Sequence, residues 1–187
     1  MFDKNPFLSA IQHAKSRDGE CESPSERLLA YKLDDNDGIA VAVGFHGAML
    51  SKVDYFLVSN HQVQLIELTD LKDVLLSCQQ TIANELEVLR KSNVKTVSAR
   101  KDIIKSVYKE PTYEFCKKWS GSIAVLERMY RKAHEQADPS YSLLIVCKNH
   151  TDVIMLDTLK NLLVGMMGNI AVCNTQNLKE CLSQIHI

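Results

Sequence analysis

An α/β protein with a mixed central sheet flanked by helices is what the sequence predicts, on three observations. Three β-rich runs fall in its first part, at about 38–45, 52–59 and 62–69, the last two close enough to pair as a hairpin. Helical periodicity then runs from about Leu71 to Gln136. A β-α-β-α order closes the chain, and its first strand, YSLLIVC at 141–147, is short and continuously apolar, as a strand covered on both faces should be.

In chain order, NPFLSAIQHAKS (5–16) predicts a short helix and RDGECES a loop. SPSERLLAYKL predicts a helix with Ser23 as N-cap, Pro24 in the first helical position and Glu26 completing a capping box. After the three strands come helices from Leu71 through TIANELEVLRKS, over about 98–109, and from Pro111 to about Gln136 with a break at Gly121. Thr151 is positioned to cap a helix over VIMLDTLKNLLVGM; NIAVC is a last strand and NTQNLKECLSQI a last helix.

The 187 residues, 45% hydrophobic and 24% charged, suit one domain with a sizeable core. Net charge is −1, so any nucleic-acid contact must come from a local patch. Six scattered cysteines form no CxxC pair, which argues against a structural zinc site. No signal-peptide pattern opens the sequence, and the longest apolar passage, from Leu162, is too short to span a bilayer and contains Asn169. A cytoplasmic protein without a membrane partner is the expectation.

The hairpin KVDYFLVSNHQVQLIELTD carries an oddity. If Asn60-His61 is a two-residue turn, facing residues have numbers summing to 121: Val58 meets Val63, Phe56 meets Leu65, Asp54 meets Glu67 and Lys52 meets Thr69, all on one face. Directly opposed like charges repel, with Cβ atoms roughly 4.5–5.5 Å apart. A divalent cation held by oxygen ligands relieves this; a shared proton or a nearby basic residue does so equally. A three-residue turn without a bulge moves Asp54 and Glu67 onto different faces.

The series SPSERLL (23–29), KVDYFLV (52–58) and VQLIELT (63–69) resembles the PD-(D/E)XK nuclease core, and is similar to its very short patch repair endonuclease-like branch. The resemblance covers about residues 23–90 and extends to the strand at 141–147. It implies a restriction-endonuclease-like core (about 23–90 and 139–187) with a helical insertion (about 91–137). It also implies Asp54 and Glu67 as ligands of Mg²⁺ or Mn²⁺, the Leu68 carbonyl as a further metal contact, and Glu26 as the helix acid. The family's usual lysine, two residues after the acid, is Thr69 here. Lys52 is the substitute the register points to, and Lys72 the second. Glu26 is accounted for as well by the capping box, and Lys52 by protection of an edge strand.

Between Arg90 and Lys132 lie twelve basic residues against four acids. Arg100, Lys101, Lys105, Lys117 and Lys118 are the candidate nucleic-acid contacts. Tyr108, Tyr113, Phe115, Trp119 and Tyr130 are interleaved with them and offer base stacking. The alternative is a solvated helix face with its aromatics in the core. The expected function is metal-dependent hydrolysis of DNA, with RNA as a second possible substrate. The other class is a catalytically silent nuclease fold that binds nucleic acid or protein, as an inhibitor, immunity protein, complex subunit or homodimer.

Overall fold

The computed structural model describes residues 2–15, 22–46, 49–92, 97–167 and 169–183. Most of the expected loop at 17–23, Lys95 and the last residues of the expected C-terminal helix lie outside them. Six strands form one mixed sheet in sequential order: β1 (Leu8–Ala10), β2 (Leu29–Lys32), β3 (Tyr55–Ser59), β4 (Gln62–Thr69), β5 (Ser140–Cys147) and β6 (Asn169–Asn174). The first four are antiparallel neighbours, while β5 and β6 run parallel to β4.

The parallel steps need crossovers. Helices α2 (Lys72–Lys91), α3 (Val97–Val107) and α4 (Lys109–Ala133) make the first, and α5 (Val153–Met167) the second. Leu75, Phe115, Leu126 and Leu159 from these crossovers pack with Phe56, Leu65 and Ile145 in one core. The opposite sheet face, with Tyr55, Ile66, Leu144 and Val146, is covered by α6 (Leu178–Ser183) and by Ile11 and Leu28. β5 sends alternate residues into both cores, and full burial of each such side chain contributes roughly 1.5–3 kcal/mol.

The hairpin register is as counted: Tyr55 faces Ile66, Phe56 faces Leu65 and Val58 faces Val63. Asn60 and His61 have φ of 43° and 66°, the double left-handed signature of a type I′ turn.

Elsewhere tertiary pairing overrides local signals. The helix expected from Asn5 is a single 3-10 turn, Asn5–Phe7, followed by β1. The capping-box helix does not form; Leu28 and Ala30 point to one core while Tyr31 and Leu33 point to the other, a period of two that pairs β2 with β3. The strand expected at 38–45 is instead a short helix, α1 (Ile39–Ala42), behind Gly38. A Cβ at Gly38 would lie 1.9 Å from the Asp34 carbonyl oxygen. Such short β-branched runs serve either state when fully buried.

No break occurs at Gly121, since α4 runs straight through it. Asp152, rather than Thr151, accepts the amide of Ile154 (2.9 Å) at the start of α5.

Candidate active site

Asp54 stands one residue before β3, and Glu67 lies near the end of β4. The β3–β4 ladder ends with Tyr55 opposite Ile66, which leaves Asp54 next in line beside the Glu67–Leu68 end of β4. There its Oδ2 accepts the Leu68 amide (2.7 Å), and its carbonyl accepts the amide of Leu33 (2.8 Å). Glu67 points into the larger core with 4% of its side chain exposed. Its Oε1 accepts a hydrogen bond from Lys118 Nζ, and its Oε2 is buried with no hydrogen-bond partner among the described residues.

Burial first, then the neighbouring Asp54 charge, push the Glu67 carboxyl up to about 8 against the pull of Lys118. Asp54 is also raised, by burial ahead of the lowering effects of the Leu68 amide and Lys118. Burial alone would lower Lys118, but attraction to Glu67 outweighs it and the ammonium is held above its usual range. The cluster therefore retains a proton readily, as crowded buried carboxylates do.

Lys118 reaches Glu67 because α4 is docked tightly. Gly121 passes so close to the Ser51 carbonyl that a Cβ would sit 2.1 Å from its oxygen. Ser122, one turn beyond Lys118, donates to the Lys118 carbonyl (2.6 Å) and accepts the buried Val53 amide (3.0 Å). Small residues thus bring helix and strand entry together and set Lys118 over the carboxylates.

The other candidates fall elsewhere. Lys52, buried, donates to the Leu50 carbonyl (2.8 Å) and pairs with Asp34 (3.1 Å); it precedes the strand, so the counted ladder does not set it against Thr69, which pairs with Cys147. Lys72 opens α2 and is exposed. Glu26, exposed and outside any helix, pairs with Lys179 of α6 (2.7 Å), the helix that covers the opposite sheet face.

Arg100, Lys101 and Lys105 are exposed on α3, while Lys117 pairs with Glu114 and lies 5.0 Å from the Tyr113 ring. Of the interleaved aromatics, Tyr108, Phe115 and Tyr130 are buried, and Trp119 packs edge-on to Tyr141. Tyr113 alone of the five is exposed, so the base-stacking expectation retains one ring.

A cleft of about 830 Å³ opens between the end of β4, α2 and α4, with Glu67 and Lys118 in its wall. Among the described residues no group of three or more His, Cys, Asp or Glu converges as a metal cage, and no helix is long and apolar enough to cross a membrane. Two carboxylates nevertheless fit the donor set of Mg²⁺, which binds through one or two of them plus water and phosphate oxygens. The orphaned, buried Glu67 Oε2 is the atom that such an ion would satisfy.

In the sequence Lys118 counts only as one more cation of the basic block; in the fold it stands beside Glu67. The available signal was its spacing, three and four residues before the small pair Gly121-Ser122 on the same helix. No protein-family model, curated protein or solved structure matches the chain.

Proposed function

We propose that this chain is a metal-dependent nuclease hydrolysing phosphodiester bonds in DNA, with Asp54 and Glu67 holding Mg²⁺ or Mn²⁺ and Lys118 supplying the cation absent at Thr69. The observation that carries the reading is the juxtaposition of Asp54 at the entry to β3, Glu67 on β4 and Lys118 on α4, with one carboxylate oxygen buried and unpartnered. A bound divalent cation supplies an activated water and charge neutralisation at phosphate.

The chain's own residues do the rest. The Leu68 amide orients Asp54, and the Ser122 and Gly121 contacts hold α4 so that Lys118 stands where phosphate charge develops. Exposed Arg100, Lys101 and Lys105 attract the backbone from α3.

The test is incubation of the purified chain with plasmid and oligonucleotides, DNA and RNA separately, in Mn²⁺ or Mg²⁺. Cleavage should fall on the order of a hundredfold or more in Asp54→Ala, Glu67→Ala and Lys118→Met. No cleavage, or cleavage indifferent to these substitutions, defeats the proposal.

A second reading, a catalytically silent binding module, draws on a different observation: Asp54 Oδ2 and Glu67 Oε1 both already have protein partners. It expects no heat in a calorimetric Mn²⁺ titration, whereas the nuclease reading expects Asp54-dependent binding.

A further inference from the structure

The smaller core, under α6, holds two thiols that the nuclease reading does not use. Cys173 lies one residue before the end of β6 and is buried. The chain then reverses: the Asn174 side chain accepts the Asn177 amide (3.0 Å) across the 3-10 turn Thr175–Asn177, and α6 follows at once. Leu178, Cys181 and Leu182 stand at spacings of three and four, so they share one face of α6. Both leucines are buried against the sheet in the cluster that contains Cys173, and Cys181 packs on that cluster with them. The Cys173 and Cys181 side chains share a hydrogen bond.

Buried cysteines pack as small apolar groups in many cores. Cys78, Cys116 and Cys147 belong to the larger core on the other face of the sheet. Cys173 and Cys181 differ in meeting each other thiol to thiol, and in their access to solvent: Cys173 is closed off, while Cys181 is half-buried and can be reached.

We infer that Cys173 and Cys181 are a redox-modifiable pair, which a low-molecular-weight disulfide oxidises to an intramolecular disulfide that fastens α6 to the end of β6. The inference is independent of the nuclease reading. The Cys181 thiolate attacks the small disulfide RSSR, forming a Cys181–SR bond and releasing one RS⁻. Cys173 gives its proton to solvent and attacks the Cys181 sulfur, and the second RS⁻ leaves. Two protein thiols are oxidised, one RSSR is reduced to two RSH, and the protons lost by the cysteines are regained by the leaving thiolates. Because one sulfur of the bond stays within reach of solvent, excess RSH reverses the change.

The segment closed by this bond carries more than α6. Thr175 Oγ1 lies 3.0 Å from His13 Nε2 and donates to Glu22, and the Gln176 amide donates to Asn149 Oδ1 (3.1 Å). Oxidation at the two cysteines therefore also fixes the turn on which the N-terminal arm and the loop after β5 rest.

The experiment equilibrates the folded, reduced full chain with oxidised glutathione, blocks the remaining thiols with iodoacetamide, and maps tryptic peptides by mass; cleavage after Lys179 puts Cys173 and Cys181 on separate peptides. The expected result is one linked pair, Cys173 with Cys181, and alkylated Cys78, Cys116 and Cys147. The linked chain should melt roughly 5–10 °C higher than the reduced one and return to the lower value in dithiothreitol. Cys181→Ser should abolish both the link and the rise in Tm. The inference is overturned if the two thiols stay free or stop at the glutathione adduct, or if either links to another cysteine. A linked chain that melts no higher than the reduced one, or an equal rise in Cys181→Ser, overturns it too.

Discussion

Gly121→Ala tests the joint that brings Lys118 to Glu67. The added methyl would meet the Ser51 carbonyl oxygen at 2.1 Å, whereas ordinary van der Waals contact begins at 3.4 Å, so α4 or the Ser51 segment must retreat by more than an ångström. Overpacking of this kind costs about 1–3 kcal/mol. The same retreat stretches the 3.0 Å bond from the Val53 amide to Ser122, and a buried amide left unpaired costs about 1–3 kcal/mol more. Alanine returns about 1 kcal/mol through helix propensity. The net is a destabilisation of about 1–5 kcal/mol, or a fall in Tm of roughly 2–20 °C for a chain of this size.

Urea denaturation and a thermal melt measure it, with Ser120→Ala, the exposed neighbour, as the control. DNA cleavage should fall as well, because Lys118 shares the turn that moves. A Gly121→Ala protein as stable as the wild type, or more stable, would mean that propensity decides and that the close approach at Gly121 does not hold α4 in place.

The pH dependence of Glu67 has a definite sign: with its carboxyl raised to about 8 in the fold from 4.5, the stability it contributes is fully present below 4.5 and is lost as pH rises through about 8. In metal-free buffer the stability of Glu67→Gln should therefore gain on that of the wild type between pH 5 and 9, by at most about 1.4 kcal/mol per pH unit in denaturant titrations, and a constant difference across that range refutes it. His61→Gly should stabilise the hairpin by about 0.5–1 kcal/mol, because glycine adopts the left-handed φ of 66° without a Cβ penalty; a loss of stability would show that the His61 side chain matters more than its backbone.

Legibility in the sequence followed the range of the interactions involved. The hairpin was countable from its turn, because Asn60-His61 fixes which residues face each other and the alternation does the rest. β5 and α5 were readable from pattern alone, β5 as a continuously apolar run buried on both faces and α5 from the helical spacing of Leu156, Leu159 and Leu163. Glu26 misled because a capping box is a local signal, and here sheet pairing of Tyr31 with Phe56 prevails over it. Lys118 was visible as a charge but not as a neighbour of Glu67, since that contact spans 51 residues and depends on how closely Gly121 lets α4 approach. The aromatics of α4 were readable as a group, yet their burial depends on the sheet beneath them, and Tyr108, Phe115 and Tyr130 went to the core.

The order of the strands has a consequence during synthesis. β4 can pair with β3 as soon as the hairpin is made, but its other edge stays open until α2, α3 and α4 have been added and β5 arrives. For that interval VQLIELT is an apolar strand with free amides and carbonyls, the kind of surface on which nascent chains stick together. Glu67 is ionised in so open a state, and its charge on that edge discourages a second strand from adding there. The residue that is costly to bury in the finished fold thus protects the half-made sheet, so neutralising it should increase aggregation during refolding even where it raises the stability of the native state.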